Sequence, residues 1–230
     1  MRSDPKIHRL LRSTFLVLVL GMVSVFVPGC NILVPVTYAV QGTGQNPAEH
    51  ELDEVKTLVF VDDLNSVLPR TVLRVRLAES ISQELMSLDL VPSTVNPSDV
   101  MALVRSRERK SSRSSMSSIA EDAGVSQMIY IKVESFSGLV RSTELRPTAS
   151  IGIRVMHFDK GGRVYPATEM NSTGSRSVDV SLREIDPSKL RSSSDRRRVE
   201  QELIAKLAYE ACKLFREHEA RELGENLGIK

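Results

Sequence analysis

Apolar residues fall in short, separated blocks along the first half of the chain, and these blocks predict alternating strands and helices. Residues 58–62 are apolar up to a terminal aspartate, which is typical of a strand buried on both faces. Apolar residues then recur every four positions in residues 69–88, so we expect a helix with Pro69 in its first turn. Gly124 marks the end of the last helix in this half. The other predicted elements here are a short strand and two helices, at residues 90–92, 96–107 and 117–123.

The second half of the chain predicts three longer strands and a final helix. Ile151, Ile153 and Val155 alternate with other residues, so one face of their strand is buried. Residues 159–162 are typical of a hairpin turn. The elements are expected at residues 127–136, 148–159, 163–182 and 195–223. Their order predicts an α/β or α+β fold, in which a mixed sheet of about four to five strands packs against helices.

The first thirty residues have the pattern of an export signal. An uncharged apolar run occupies residues 14–27, and it follows the four basic residues Arg2, Lys6, Arg9 and Arg12. The run ends in Val27-Pro28-Gly29-Cys30, which resembles the lipobox of bacterial lipoprotein signal peptides. The resemblance implies that the Cys30 thiol carries a diacylglycerol and that residues 1–29 are removed. Acyl chains would then hold the mature protein in a membrane.

Two other fates of this segment remain open. Residues 15–48 carry no charged side chain, so an uncleaved helix could cross about 30 Å of hydrocarbon. Pro28 and Pro35 interrupt such a helix, so we favour lipidation of Cys30 over a spanning anchor or ordinary secretion. Asn31 stands where an aspartate would retain a lipoprotein in the inner membrane under the enteric sorting rule. We therefore expect the outer membrane, with the protein facing the periplasm.

Three regions follow from this interpretation. Residues 1–29 are the signal peptide, residues 30–56 are the lipidated N-terminus and a linker, and residues 57–230 are a periplasmic α/β domain. Residues 41–56 are polar, acidic and contain glycine, which is typical of a flexible linker. A linker of this length reaches roughly 20–25 Å, so it would hold the domain just off the bilayer.

The charge balance argues against a nucleic-acid partner. The chain has 31 basic and 29 acidic residues, but the signal peptide contains four of the basic residues and one of the acidic ones. The mature protein therefore has 27 against 28 and is close to neutral. The absence of Trp and the scarcity of Phe and Tyr also argue against a base-stacking or carbohydrate surface.

Two segments resemble a group of exported bacterial domains. They are Val59-Phe60-Val61-Asp62-Asp63 and residues 120–131, where a short helix ending in glycine leads into a strand. The group comprises the curli-secretion lipoprotein, the lipoprotein activators of penicillin-binding proteins and the N-terminal domain of the Tol-system propeller protein. The resemblance implies an α/β sandwich over residues 57–220 and an envelope interaction module without catalytic residues. One member of the group forms a membrane channel from lipid-facing hairpins. Residues 137–150 and 163–183 would be the hairpins here, but their charged residues disfavour a channel role, because lipid-facing strands need an apolar outward face.

Candidate catalytic chemistry is sparse. Asp62 and Asp63 follow a predicted strand at the position where α/β sheets bind ligands, yet no glycine-rich phosphate loop follows them. We interpret them as the turn before the next helix. His157 shares the apolar strand face, and Cys212 lies among apolar helix residues, so both are expected in or beside the core. No histidine pair has metal-ligand spacing. We expect no enzyme activity, cofactor or metal.

Two basic clusters form the candidate partner surface. The first contains Arg105, Arg107, Arg109, Lys110 and Arg113, and the second contains Arg191, Arg196, Arg197 and Arg198. Behind an export signal, polyanionic lipid, lipopolysaccharide or an acidic protein is the expected ligand, and a merely solvated loop and helix start is the alternative. The expected function is a membrane-anchored, non-catalytic interaction or scaffold module. The alternative function is a homo-oligomeric subunit of a structural or secretion-associated ring.

Overall fold

The computed structural model describes residues 44–108, 115–137, 146–167, 174–186, 190 and 192–220. The chain divides into two compact units, residues 1–44 with 219–222, and residues 45–218 with 223–230. In the first unit, the amide of Ala220 donates a hydrogen bond to the carbonyl oxygen of Gly44, at 2.7 Å. The second unit contains the main sheet and the helices. The signal peptide, Cys30 and the predicted anchor lie outside the described residues.

Five of the described strands form one mixed sheet. In chain order the strands are β1 (Gln45–Asn46), β2 (Thr57–Asp62), β3 (Gln127–Ser137), β4 (Thr148–His157), β5 (Gly162–Tyr165), β6 (Arg176–Ser181) and β7 (His218–Glu219). β2 pairs in parallel with β3, and β3 pairs antiparallel with β4. β5 and β6 both pair antiparallel with the other side of β4, β5 along its last residues and β6 along its first six. β1 and β7 lie outside this sheet.

Four helices are described, and their ends follow local sequence signals. They are α1 (Val72–Ser87), α2 (Pro97–Glu108), α3 (Met116–Ala123) and α4 (Ser193–Cys212). Gly124 ends α3 in the left-handed conformation with φ 64°, as its sequence predicts. Ser192 and Asp195 form a reciprocal capping box at the start of α4. These caps satisfy backbone groups that a helix end leaves without partners.

The larger core lies between one face of the sheet and helices α1 and α4. The four-residue spacing predicted for α1 places Leu73, Leu77, Ile81 and Leu85 in this core with no exposed surface. Alternate residues of the strands meet them from the sheet. The smaller core lies on the opposite face, where Leu58, Phe60, Met128 and Tyr130 contact α2 and α3. β2 is thus buried on both faces, as predicted.

The expected mixed sheet packed with helices is confirmed, but several predicted elements and boundaries are wrong. The strand at residues 163–182 is two strands, because Pro166 has no N–H with which to continue the ladder beyond β5. The strand at residues 90–92 is absent, and instead Thr94 forms an isolated bridge with Thr57. The final helix ends at Cys212 rather than at residue 223, and His218, expected on that helix, lies on β7.

The early end of α4 has a tertiary cause. Residues Lys213–Phe215 form a 3₁₀ turn, and Arg216 is extended with φ −143°. The carbonyl oxygen of Leu214 accepts hydrogen bonds from the amides of Glu49 and His50, at 2.9 and 3.1 Å. A segment about 165 residues earlier in the chain therefore satisfies the helix end, which no local signal could indicate.

Candidate functional site

The segment Glu49–Asp53 lies against the folded domain, and we call it the docked segment. It falls within the predicted linker, yet its backbone is held at two places. Leu214 binds its first two amides, and the side chain of Gln127 binds Asp53. The Gln127 side-chain oxygen accepts from the amide of Asp53 at 3.1 Å, and its nitrogen donates to the carbonyl of Asp53 at 3.3 Å. The described part of the linker is therefore not a free chain.

Glu49 has the most specific partners in the docked segment. The guanidinium of Arg176 donates to both of its carboxylate oxygens, at 2.9 Å each, and the hydroxyl of Tyr165 donates at 2.7 Å. The Arg176 hydrogen bonds lower the pKa of Glu49, with a further contribution from the Tyr165 hydroxyl. Burial, together with the bond to Glu49, raises the pKa of Tyr165. Bidentate pairing fixes direction as well as distance, so the first residue of the segment has one defined position.

The next residues add aromatic and apolar contacts. The ring of His50 stacks on Tyr165 with centroids 5.1 Å apart and meets Phe215 edge-on at 6.5 Å. Burial lowers the pKa of His50, so the neutral ring is favoured in this position. Leu52 packs against the larger core. The segment is thus held by packing in addition to charge.

Asp53 closes the segment with two cationic or potentially cationic partners. The ammonium of Lys160 lies 2.6 Å from its carboxylate, and Nε2 of the buried His157 lies 3.1 Å from the same oxygen. The Lys160 hydrogen bond lowers the pKa of Asp53. His157 faces the core side of β4, as its alternation predicts. The sheet end where β2 and β3 begin and β4 ends therefore receives the docked segment, and we call it the docking end.

The two aspartates at the end of β2 serve the fold. The hydroxyl of Tyr130 donates to the carboxylate of Asp62, and burial together with this contact raises the pKa of Tyr130. Asp63 accepts from the amides of Val67 and Leu68, at 2.7 and 3.2 Å. The prediction of a turn before the next helix is confirmed for Asp63, whereas Asp62 is the last residue of β2. That turn extends past Pro69, so α1 begins three residues later than predicted.

A polar cluster on the sheet surface was not predicted from the sequence. The carboxylate of Glu134 accepts from the hydroxyls of Ser150 and Ser177, at 3.3 Å each. Gly152 lies beneath it, where a Cβ atom would come within 2.6 Å of the Ser175 hydroxyl and 2.8 Å of Glu134. Glycine at this position therefore allows the close approach of the two side chains. The cluster joins β3, β4 and β6 through their side chains.

The basic residues predicted as one partner surface do not form one patch in the described structure. Arg105 is exposed near the end of α2, while the side chains of Arg107, Arg109, Lys110 and Arg113 lie outside the described residues. Arg196, Arg197 and Arg198 are exposed in the first turns of α4. α2 and α4 cover opposite faces of the sheet, so the described members of the two clusters are separated by its thickness.

No group of three or more His, Cys, Asp or Glu residues in the described parts of the chain could hold a metal ion. None of the helices in those parts has the length and apolar character that crossing a bilayer requires.

No protein-family model and no curated protein matches the chain. Several solved structures are distantly similar to it. The PelC L103M dodecamer from Paraburkholderia phytofirmans aligns with TM-score 0.39 and 11% identity, over 71% of this chain and 93% of that one. Lipoprotein GNA1162 from Neisseria meningitidis aligns with TM-score 0.38 and 10% identity, over 67% of this chain and 99% of that one. Protein CT253 from Chlamydia trachomatis aligns with TM-score 0.34 and 15% identity, over 68% of this chain and 98% of that one. Similarity this low transfers no role, partner or assembly to this chain.

Proposed function

We propose that this chain is a bacterial envelope lipoprotein whose domain is a non-catalytic interaction or scaffold module. The docked segment carries the proposal, because it brings the chain that follows Cys30 onto the domain as early as Glu49. About nineteen residues separate these two positions, and even a fully extended chain of that length spans no more than about 65 Å. Anchored through Cys30, the domain works close to a membrane surface.

The non-catalytic part of the proposal is supported by what the candidate groups already do. The carboxylates of Asp62 and Asp63 accept hydrogen bonds that shape the end of β2 and the loop after it. Cys212 is fully buried in the larger core, and burial raises the pKa of its thiol to about 12. A thiol with that pKa is neutral at physiological pH and is a poor nucleophile.

Metabolic labelling with a clickable palmitate analogue tests the anchor. We expect label on the wild type and on Cys212→Ala, and none on Cys30→Ala, which should also leave the membrane fraction. Cys212→Ala is the matched control because it removes the other cysteine of the chain. Equal labelling of the two variants would overturn the proposal.

We further propose that the anchoring membrane is the outer membrane, because Asn31 stands at the sorting position. Density-gradient separation of the two membranes tests this placement. The wild type should sediment with the outer membrane and Asn31→Asp with the inner membrane. A wild type found in the inner-membrane fraction contradicts it.

A further inference from the structure

The end of the sheet opposite the docking end is where α1 and α4 begin. Arg70, just before α1, forms an ion pair with Glu200 in the second turn of α4. Lys206 donates to the carbonyl of Ser181, the last residue of β6, at 2.9 Å. We call this the distal end, where β2, β3 and β6 finish and β4 begins.

The distal end is far from the point where the anchored chain reaches the domain. The docked segment binds Leu214, just beyond the last residue of α4, whereas Arg196 lies in the first turns of that helix. About eighteen residues of largely helical chain separate the two positions, which corresponds to roughly 27 Å. This separation exceeds the roughly 8 Å over which exposed charges attract at physiological ionic strength.

Arg196 and Arg198 are exposed at the distal end, and the charge of Arg198 adds to the Ser192 hydrogen bonds in lowering the pKa of Asp195. Neither Arg196 nor Arg198 makes a side-chain hydrogen bond or ion pair with the residues that the structure describes, whereas Arg197 donates to the backbone and hydroxyl of Ser193. Arg196 ends the first turn of α4, where the helix dipole disfavours a cation. Both arginine side chains are therefore available to a partner.

Exposed apolar side chains lie at the same end. Val72, the first residue of α1, is 48% exposed, and Leu64, in the loop after β2, is 83% exposed. The ion pair of Arg70 with Glu200 ties the start of α1 to the start of α4. Arginine mixed with apolar side chains is characteristic of protein–protein interfaces, whereas a phosphate-binding surface needs only the cations.

The docking end carries more exposed acidic residues than exposed cations. Exposed acidic residues surround it in the described chain, namely Glu51, Glu54, Asp89, Glu121, Asp122, Asp159 and Glu217. The exposed cations there are fewer, namely Lys56, Lys160 and Arg163. An anionic bilayer surface would repel this end, so the charge distribution does not favour contact between the domain and its own anchoring membrane.

We propose that the distal end, with Arg196, Arg198, Val72 and Leu64, is the docking surface for an acidic protein. The surface lies at the end of the sheet opposite the docked segment. This inference rests on the proposed function, because an anchored interaction module requires a partner surface remote from its anchor. It selects the second basic cluster over the first.

Photo-cross-linking in living cells that express the full chain tests the surface. A photoreactive amino acid replaces either Val72 or Met86, which lies at the other end of α1 and is 40% exposed. We expect a protein adduct from position 72 and none from position 86. The double variant Arg196→Glu, Arg198→Glu should reduce the adduct at least tenfold. The control double variant Lys56→Glu, Arg105→Glu, which changes the net charge equally, should retain it. Equal adducts from both positions, or equal effects of both double variants, would overturn the proposal.

A defined probe separates an acidic polypeptide from a lipid. The purified full chain is placed in phosphatidylcholine vesicles and mixed with labelled poly-L-glutamate or with separate phosphatidylglycerol vesicles. Poly-L-glutamate should bind, and Arg196→Glu with Arg198→Glu should weaken that binding at least tenfold. Arginine-dependent capture of the anionic vesicles without poly-L-glutamate binding would assign the surface to lipid and refute the inference. If Cys30 carries no palmitate label but the protein in detergent still binds poly-L-glutamate, the lipid anchor is refuted and the docking surface is not. Failure of the proposed function can therefore be distinguished from failure of this inference.

Discussion

The docking end and the distal end use arginine in opposite ways. Arg176 at the docking end is committed to Glu49 through two hydrogen bonds, and Tyr165 completes the arrangement. Arg196 at the distal end is exposed and unpaired within the described chain, in a helix turn that disfavours cations. A basic residue is therefore informative about binding only after its partners in the fold are known. The paired cation serves docking of the chain, and the unpaired one is available to a partner.

Substitutions at the two ends should differ most in the free energy of unfolding where aromatic packing is removed. Tyr165→Ala removes a buried ring that contacts His50 and Phe215, and it removes the hydroxyl bound to Glu49. We expect the free energy of unfolding to fall by about 3 kcal/mol. Leu64→Ala at the distal end should change it by less than about 0.5 kcal/mol, because the side chain is exposed. Urea unfolding of both variants measures this, and similar losses would contradict the comparison.

Lowering the pH should have an effect of intermediate size on the stability of the fold. The pKa values of Glu49 and Asp53 are lowered in the folded protein, so both carboxylates stabilise it above their ordinary pKa values near 4. This contribution is lost as the pH falls through the lower, folded-state pKa values. Stability of the wild type should therefore decrease below about pH 4.5 more steeply than that of Glu49→Gln with Asp53→Asn.

The control for this pH dependence is Glu51→Gln with Glu54→Gln. These two acids are exposed in the same stretch of chain and form none of the hydrogen bonds made by Glu49 and Asp53. The control should retain the steepness of the wild type between pH 3 and 5 in urea unfolding. If both double variants flatten the profile equally, the carboxylates of the docked segment are not its source.

The smallest expected effect is on the free energy of unfolding when one of two arginines is replaced by alanine, and its sign should differ between them. Arg176→Ala should lower the free energy of unfolding by about 1 kcal/mol, since its pair with Glu49 is only partly shielded from solvent. Arg196→Ala should raise it by about 0.3 kcal/mol, because a cation leaves the start of a helix. Chemical unfolding at low ionic strength gives both values. Destabilisation by Arg196→Ala would mean that this side chain serves the fold and would weaken its assignment to a partner.

Sequence periodicity predicted the elements well wherever one element alone determines its residues. The i, i+4 spacing of Leu73 and Leu77 identified the buried face of α1, and Gly124 ended α3 as expected. The alternation around Ile153 placed His157 on the core face of β4. These signals are local, because helix and strand geometry repeat over a few residues. They predicted the fold class and the position of the core.

The docked segment could not be predicted in this way. Glu49 and Asp53 stand in a polar, acidic stretch whose composition is that of a linker, and their partners Arg176 and Lys160 are more than a hundred residues away. The same long-range contact ends the final helix early at Cys212. The separation of the basic clusters by the sheet also depended on which face each helix covers. No spacing within either cluster contains that information.

The strand and helix pattern, most of the buried faces and the lipobox-like Val27-Pro28-Gly29-Cys30 can all be read from the sequence. Each of these depends on neighbouring residues and on short repeats. The pairing of Glu49 with Arg176, and the lack of such a partner for Arg196 in the described chain, are seen in the folded structure alone. Pairing depends on distance in space, and the sheet brings together residues that the sequence keeps far apart.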